Sequence, residues 1–511
     1  MSTTNTPKPA PSGPHRLRAR RIGIDTQYEA VVFMHKECSV CRSEGFTAHN
    51  RVLLRAGERH VIATLYQVTT DLIAHDEAAL SESAWLRLGL QDGGIISVSH
   101  PDPVESLGQV RSRIYGKQLS DAALRSIISD VVDGKYSDIH LSSFVTACAT
   151  RPLDHREILA LTKAMVEAGD KLSWKSSVVA DKHSVGGLPG NRTTPIVVPI
   201  VAALGLTMPK TSSRAITSPA GTADTMETMA PVELDIADIH RVVEQEGGCI
   251  AWGGAVRLSP ADDVIIRIER ALDIDTEGQM IASVLSKKIA AGSTHLVLDV
   301  PVGPTAKVRS AESADALSAG LMAVAEAFGI RTRVTIGDGQ QPIGRGIGPA
   351  LEAYDVLAVL QGAKDAPQDL RARALALAGA LIELAGAAPE GQGETLAAQT
   401  LDDGRAWAKF QRICEAQGGM RKPPRSTHRR PLVAERAGRV FEIDNRKIAK
   451  LAKLAGAPDD KAAGVELHAR LGSSVSAGQP LCTVHAESPG ELAYALHYAS
   501  ANPGIIRVEE Q

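Results

Sequence analysis

The feature that most constrains the fold is a glycine-rich loop, DKHSVGGLPGN (181–191), that leads into the apolar segment TTPIVVPIVAALGL (193–206). Apolar runs that alternate with such loops are typical of an α/β domain. We predict a helix with Thr194 as its N-cap and Pro195 as its first residue. The free N–H groups at the start of that helix would face the loop and favour an anion there. With Lys182 as a cation, the segment predicts a phosphate site. The alternative is a turn that carries a lysine by chance.

A second loop, KTSSRAITSPAGTADTMETM (210–229), is rich in hydroxyl groups and carries Arg214. We predict a helix in its second half, with Thr222 or Asp224 as the N-cap and Glu227 completing a capping box. Neither loop contains the G-x-x-x-x-G-K-[ST] sequence of a P-loop. Two loops of this kind in one α/β domain favour a shared anion pocket, and the alternative is an ordinary solvated loop.

Composition excludes several classes of function. The formal net charge is −3 and aromatic residues make up 3% of the chain, which disfavours a nucleic-acid partner. The longest apolar run, 195–206, is too short to span a bilayer, so we predict no membrane partner. The basic, proline-rich start is unlike a secretory signal, and the six cysteines are thinly spread, so we predict a cytoplasmic protein. Cys38 and Cys41 form a single C-x-x-C, which we interpret as ordinary thiols, with structural zinc as the alternative.

The chain divides by pattern into a tail, a β-rich part, helical stretches, an α/β part and a terminal module. The segment RKPPRSTHRRP (421–431) is predicted to be a linker. The predicted domains are a disordered tail (1–20), an N-terminal β-rich domain (21–99), a helical domain (100–170 and 260–291), an α/β phosphate-binding domain (171–259 and 292–420) and a C-terminal α+β domain (432–511).

Five motifs give this sequence a specific resemblance. They are DKHSVGG, KTSSRAITSPAGTADTMETMAPVEL, WGGAVRLSPADD, ASVLSKK and QPIGRGIGPALEA. They resemble the thymidine/pyrimidine-nucleoside phosphorylase family from about residue 100 to about residue 500, and most closely the branch that contains AMP phosphorylases. The resemblance implies an α/β nucleoside phosphorylase fold, in which a helical domain faces a larger α/β domain across a cleft. It also implies a homodimer or a larger homo-oligomer, and the N-terminal domain fits the AMP branch.

The resemblance also implies roles for individual residues. Those that match phosphate-binding positions are Lys182, Ser184, Thr194, Ser212 and Thr222. Those that match pyrimidine contacts are His183, Arg270, Ser283 and Lys287. Nucleotide-binding positions of the AMP branch correspond to Gly187, Ser213, Arg214, Ala215, Ile216, Thr217, Ser218, Thr222, Ser283 and Lys307. Asp275 matches the proposed proton donor.

The predicted function is phosphorolytic pentosyl transfer, with inorganic phosphate as co-substrate and with no cofactor or metal. One version cleaves a nucleoside 5′-monophosphate to base and ribose 1,5-bisphosphate, and the other cleaves a pyrimidine nucleoside such as thymidine to base and a 1-phosphosugar. Phosphate would stabilise an oxocarbenium-like transition state, and Asp275 or His183 would protonate the departing base. Two departures from thymidine phosphorylases argue against simply assigning their pyrimidine specificity to this chain. SRAITS (213–218) replaces a glycine- and histidine-bearing loop, and the spacing from Arg270 to Ser283 is shorter. The alternative from another class is a catalytically silent nucleotide-binding protein of the same fold.

Overall fold

The computed structural model describes residues 15–509 except Tyr28, Ile216, Thr217 and Asp275. The described residues form two compact units, one within residues 1–118 and 126–147 and one within residues 119–125 and 148–511. In the part that the structure describes, no helix combines the length and the apolar character needed to cross a membrane.

The first unit is built on a closed barrel with the strand order β1-β5-β2-β4-β3-β6. Its strands are β1 (Arg16–Arg21), β2 (Val31–His35), β3 (Arg51–Ala56), β4 (Arg59–Val68), β5 (Glu77–Leu80) and β6 (Ile95–Ser99). Leu17 and Ala19 alternate into the barrel core. The prediction of disorder is therefore wrong for residues 16–20, because this period-two apolar pattern continues a strand into the tail.

The helices that begin in the first hundred and forty residues are short to medium in length. They are α1 (Ser39–Glu44), α2 (Glu82–Leu88), α3 (Leu107–Ile114), α4 (Asp121–Val132) and α5 (Asp138–Thr150), and the first residues of α4 and the last of α5 belong to the second unit. Cys38 caps α1, because its sulfur accepts a hydrogen bond from the backbone N–H of Cys41 at 3.2 Å. All six cysteines are buried free thiols. No group of three or more potential metal-ligating side chains occurs among the described residues.

The second unit alternates helices and strands. Its helices are α6 (His155–Glu167), α7 (Thr194–Ala203), α8 (Thr222–Glu227), α9 (Ile236–Glu246), α10 (Pro260–Leu272), α11 (Glu277–Ala290), α12 (Ala311–Ala327), α13 (Pro349–Leu360), α14 (Gln368–Leu384), α15 (Gly393–Asp402), α16 (Arg405–Ala416), α17 (Asn445–Leu454) and α18 (Pro489–Ala501). Its strands are β7 (Ala180–Ser184), β8 (Met208–Ser212), β9 (Gly248–Trp252), β10 (His295–Val302), β11 (Arg331–Asp338), β12 (Gly346–Ile347), β13 (His428–Val433), β14 (Gly438–Ile443), β15 (Gly464–Leu467), β16 (Ser474–Val475), β17 (Pro480–Ala486) and β18 (Ile506–Glu509).

Parallel strands organise the centre of the second unit. Strands β11, β10 and β7 pair in that order, and β8 pairs with β9. A single parallel bridge between Val179 and Thr207 connects the two groups. The carboxyl ends of these strands lie along one edge, and helix α7 follows β7 while α8 follows β8. In open α/β sheets this edge is where ligands bind.

Both helices that follow these strands begin one residue away from a predicted cap. The carbonyl of Thr193 accepts from Val197 N at 2.9 Å, so Thr193 is the N-cap of α7 and Thr194 is its first residue. The carbonyl of Gly221 accepts from Thr225 N at 3.1 Å, so Gly221 is the N-cap of α8. The predicted caps are therefore wrong. The N-cap is set by where the backbone turns into the helix, and neither observed cap residue makes a side-chain capping hydrogen bond.

Two further parts flank this sheet within the second unit. Helix α11 packs on α6 and on α12. The C-terminal residues form the three-stranded sheet β16-β14-β18, and their strands β15, β17 and β13 join β12 (Gly346–Ile347) in the four-stranded sheet β12-β15-β17-β13. Strand β13 begins at His428, inside the predicted linker 421–431. Because β13 is an edge strand, it accommodates Pro431 without losing a needed hydrogen-bond donor.

Candidate active site

Lys182 is the buried cation of the glycine-rich segment. It lies on β7 with 2% of its surface exposed, and its Nζ donates to the hydroxyl oxygen of Thr193 at 2.6 Å. Burial lowers the pKa of Lys182 to about 8. The nearby Asp299 carboxylate raises this pKa, whereas the positive charges of Arg373 and Arg192 lower it further. The ammonium is therefore still mainly protonated at neutral pH. The lysine contact falls on Thr193, next to the buried Thr194 that we predicted as a phosphate ligand.

Glycines bring this loop against its neighbours. Gly187 has a φ of +81°, and a Cβ atom on it would lie 2.5 Å from the backbone nitrogen of Lys307. Gly190 has a φ of +72°, and a Cβ atom there would lie 2.0 Å from the carbonyl oxygen of Ile343. Only glycine permits both the positive φ and the close approach. The predicted residues Gly187 and Lys307, 120 positions apart, are therefore adjacent.

Amide and carboxylate groups hold the other end of the loop. Asn191 Nδ2 donates to Ser184 Oγ at 3.3 Å and to Asp299 Oδ2 at 2.9 Å. Arg373 Nη2 donates to the other oxygen of Asp299 at 2.6 Å. Burial opposes ionisation of Asp299, but Lys182 and Arg373 keep its pKa below the ordinary value. Ser184 is half-buried at the end of β7, where its hydroxyl faces the loop that it begins.

Arg192 connects the glycine-rich loop to the second predicted loop. Its Nη1 donates to Thr222 Oγ1 at 3.0 Å, and its Nη2 donates to the carbonyl of Ala220 at 2.8 Å. Its Nε forms a buried ion pair with Glu352 Oε2 at 2.5 Å. Thr222, a predicted phosphate residue, is thereby joined to the loop that carries Ser184.

The cation of the second loop has a different environment. Arg214 donates to both carboxylate oxygens of Glu227 at 2.7 and 2.8 Å and to Glu233 at 3.0 Å. Its guanidinium carbon also lies 4.7 Å from the centre of the Trp252 ring. Its predicted contact with substrate remains a prediction, whereas the contacts that the structure shows are with protein groups.

The backbone of the second loop is held by one carboxylate. Asp224 Oδ2 accepts from the backbone N–H groups of Ala215 at 2.6 Å and of Gly221 at 2.8 Å. Ser213 accepts from Ala223 N through its carbonyl, and Ser218 donates its hydroxyl to the carbonyl of Ala220. Ser212 ends β8, and its carbonyl accepts from Gly253 N at 2.9 Å. The predicted substrate residues Ile216 and Thr217 lie outside the described residues.

A second charged cluster occupies the opposite face of β7. Asp181 accepts from Lys288 Nζ at 2.8 Å and from Ser293 at 3.1 Å, and it lies 3.6 Å from Lys210 Nζ. Lys210 also donates to the carbonyl of Thr211. Sequence reasoning missed all three buried charges. One signal could have indicated this cluster. Lys210 stands in the short segment that forms β8, and a lysine in a buried strand needs a carboxylate partner.

His183 shares this face of β7, because side chains alternate along a strand. Burial, and then the cations Lys288 and Lys210, hold the pKa of His183 well below its ordinary value. The imidazole is therefore neutral at physiological pH. A neutral imidazole offers one N–H donor and one acceptor, which suits hydrogen bonding to a base better than permanent charge.

The helical stretch supplies a further cation. Lys287 Nζ pairs with Asp262 Oδ2 at 2.5 Å. Burial opposes protonation of Lys287, but the neighbouring carboxylates raise its pKa. Ser283 lies one turn earlier on α11 and is half-buried, whereas Arg270 is exposed near the end of α10. Asp275, the predicted proton donor, lies outside the described residues.

Three of the predicted phosphate residues therefore lie in hydrogen-bonded pairs. The candidate site contains the pairs Lys182 with Thr193, Ser184 with Asn191, and Thr222 with Arg192. Its cations and hydroxyls can bind an anion at the carboxyl edge of the sheet. Asn191, Arg192 and Thr193 were missed as separate residues, although Asn191 ends the glycine-rich loop, Thr193 begins the apolar segment and Arg192 lies between the two.

Comparison with known proteins gives three matches to described families. Residues 176–407 match the α/β domain and residues 107–169 match the helical bundle domain of the glycosyl transferase family. Residues 439–505 match the pyrimidine nucleoside phosphorylase C-terminal domain. The predicted combination of a helical domain with an α/β domain is thereby confirmed.

Relatives extend over nearly the whole chain. A protein of Sphingopyxis alaskensis named putative thymidine phosphorylase is 63% identical over 98% of this chain and 97% of its own length. One of Polaromonas sp. with the same name is 59% identical over the full length of both chains. Among solved structures, anthranilate phosphoribosyltransferase from Thermus thermophilus has a TM-score of 0.50 at 21% identity, covering 60% of this chain and 98% of its own, which indicates a shared fold.

Proposed function

Because this chain belongs to the thymidine phosphorylase family of glycosyl transferases and is a pentosyltransferase of the phosphorylase type, we propose that it cleaves pyrimidine nucleosides, thymidine among them, with inorganic phosphate. The products would be the free base and a pentose 1-phosphate. The reaction needs no cofactor, since phosphate itself is the nucleophile.

The observation that carries this proposal is the buried Lys182, which lies near the carboxyl end of a parallel strand. Its ammonium lies 2.6 Å from Thr193 Oγ1, Ser184 ends the same strand, and Arg192 links the following loop to Thr222. A cation with hydroxyl donors on the adjoining segments at the carboxyl edge of a parallel sheet suits a phosphate dianion. Burial strengthens the attraction, because little water competes for the charge.

The proposed step breaks one bond and makes another. A phosphate oxygen bonds to C1′ of the sugar while the bond from C1′ to the base nitrogen breaks and its electron pair goes to the base. Negative charge on phosphate stabilises positive charge at C1′ in the transition state. On the other face of β7, the neutral His183 can donate a hydrogen bond to the departing base, and Lys287 can stabilise its negative charge. The proton that the base finally takes up is assigned to Asp275 only as a prediction.

A second candidate substrate is a nucleoside 5′-monophosphate. The observation in its favour is the close contact of Gly187 with the backbone of Lys307, which brings a lysine next to the glycine-rich loop. A 5′-phosphate bound there would need such a cation. The product would then be ribose 1,5-bisphosphate instead of a 1-phosphosugar.

One experiment tests the reaction and separates the substrates. Release of free base would be measured from thymidine, uridine, AMP and CMP, with and without phosphate, for the wild type, Lys182→Ala and the control Lys175→Ala. Lys175 has a 90% exposed side chain and pairs with Glu244, so its loss should not affect catalysis. Phosphate-dependent release from thymidine that only Lys182→Ala abolishes is the expected result. Release from AMP or CMP alone would favour the nucleotide, and folded protein that releases no base would refute the proposal.

A further inference from the structure

Three hydroxyl groups of the candidate phosphate site share one bonding pattern. The oxygen of Thr193 accepts from Lys182 Nζ at 2.6 Å, that of Ser184 from Asn191 Nδ2 at 3.3 Å, and that of Thr222 from Arg192 Nη1 at 3.0 Å. A hydroxyl has one proton and two lone pairs. When an N–H group donates to one of the lone pairs, the hydroxyl proton turns away from that group. The proton is then available for donation to another acceptor.

The amide of Asn191 has a fixed orientation. Its Nδ2 faces Asp299 Oδ2 at 2.9 Å, so the reverse orientation would place the amide oxygen against a carboxylate. Asp299 is itself 1% exposed and is held by Arg373 at 2.6 Å. The group that donates to Ser184 is therefore an N–H and cannot become an acceptor.

Arg192 is fixed in the same manner by a different carboxylate. Its Nε is paired with Glu352, which is 1% exposed and also accepts from Thr225 Oγ1 at 3.2 Å and from Gly348 N at 3.3 Å. Because the guanidinium is planar and rigid, holding Nε also sets the direction of Nη1 toward Thr222. A lysine at this position has a single nitrogen and could not reach Glu352 and Thr222 with the same geometry.

We infer that Asn191 and Arg192 are positioning residues of the phosphate site, which turn the hydroxyl protons of Ser184 and Thr222 toward the bound anion. This inference rests on the proposed function for the identity of that anion. It deepens the proposal, because it gives the site a set of preoriented donors and assigns their orientation to Asp299 and Glu352. Such donors need no reorganisation when charge develops.

The test is a pair of double-mutant cycles in the full-length protein. One combines Asn191→Leu with Ser184→Ala, and the other combines Arg192→Lys with Thr222→Val. The readouts are the Kd of inorganic phosphate by calorimetry, the KM of phosphate, kcat and the thermal midpoint. Arg192→Lys keeps a cation beside Glu352 and so protects the fold. Arg371→Lys is the matched control, since Arg371 pairs with Asp402 on the surface at 2.8 Å.

We expect each single substitution to weaken phosphate binding about tenfold, the loss of one hydrogen bond to a charged group. In the Ser184→Ala background, Asn191→Leu should weaken phosphate binding by less than about a further twofold. Arg192→Lys should have an equally small further effect on phosphate binding in the Thr222→Val background. Losses that multiply within a pair would overturn the inference, as would an unchanged phosphate Kd in the single variants. If the wild type binds phosphate and releases no base, the proposed function fails, while the cycles measured by calorimetry still decide the inference.

Discussion

The segment between β7 and α7 (185–193) and the segment between β8 and α8 (213–221) each carry one arginine, but the two arginines touch different groups. Arg192 of the first pairs with one carboxylate and keeps an N–H on the hydroxyl of Thr222. Arg214 of the second is surrounded by carboxylates and lies over the ring of Trp252. The two arginines therefore differ in their partners: Arg192 contacts a carboxylate and a predicted phosphate residue, whereas the ion pairs of Arg214 are all with protein carboxylates.

The carboxylates under the second loop also receive a cation from the C-terminal part of the chain. Lys461 Nζ lies 3.0 Å from Glu227 and 3.6 Å from Asp224. Asp224 in turn accepts from two backbone N–H groups of the loop. The second loop is therefore shaped by internal ion pairs, and its contribution to substrate binding should come from its backbone and hydroxyls. The following predictions break or sharpen this contrast, from the largest expected effect to the smallest.

Removing the cation of the first loop region should have the largest effect. Lys182→Ala should lower kcat/KM by about a hundredfold or more, since the loss of one preorganised charge-stabilising donor typically costs that much. Steady-state phosphorolysis checks this, with Lys175→Ala as the control for a surface lysine. A loss below threefold would show that Lys182 does not act on phosphate.

The pH dependence of phosphate binding should follow the same ammonium. Because the pKa of Lys182 is lowered to about 8, the protonated form falls about tenfold for each pH unit above that value. The KM of phosphate should therefore rise above pH 8, while the KM of the nucleoside changes less. Initial rates between pH 6 and 10 measure this. A phosphate KM that stays constant to pH 10 would contradict the assignment.

Breaking the support of the second loop should affect stability and nucleoside binding together. Asp224→Ala leaves two backbone N–H groups without their acceptor and should cost about 1–3 kcal/mol in the free energy of unfolding. It should also raise the KM of the nucleoside more than the KM of phosphate. Denaturant unfolding and kinetics test both effects. Glu233→Gln is the control, because that side chain is 63% exposed and should change stability by less than about 0.5 kcal/mol.

The smallest effect should be the acid sensitivity of Glu227. Hydrogen bonding by Arg214 lowers the pKa of Glu227 from 4.5 to about 2. A carboxylate with a lowered folded-state pKa stabilises the fold above pH 4.5, and this contribution is lost as pH falls toward 2. Glu227→Gln should therefore reduce the difference in thermal midpoint between pH 6 and pH 3. An unchanged difference would show that the ion pair contributes nothing to acid stability.

Local patterns predicted the strand, loop and helix order of the candidate site, because these three elements follow one another directly in the chain. Lys182, Ser184 and the glycines stand out within that contiguous segment, and their role in phosphate binding stays a prediction. The N-cap was misplaced by one residue, from Thr193 to Thr194, because two threonines stand side by side and only the backbone turn distinguishes them. Nothing in the pattern of β7 indicated that Asp181 would be buried between two lysines.

The sequence by itself determined the α/β character, the family and the two loops that carry the cations and hydroxyls, because these depend on short-range periodicity and contiguous motifs. Only the tertiary structure decided which charges are available. Asp299 and Glu352 lie 108 and 160 positions from the residues they orient, and Lys461 reaches Glu227 from the C-terminal part of the chain. Burial and charge pairing arise when distant segments pack together, so a residue's neighbours in sequence cannot reveal whether its charge is engaged or available to a ligand.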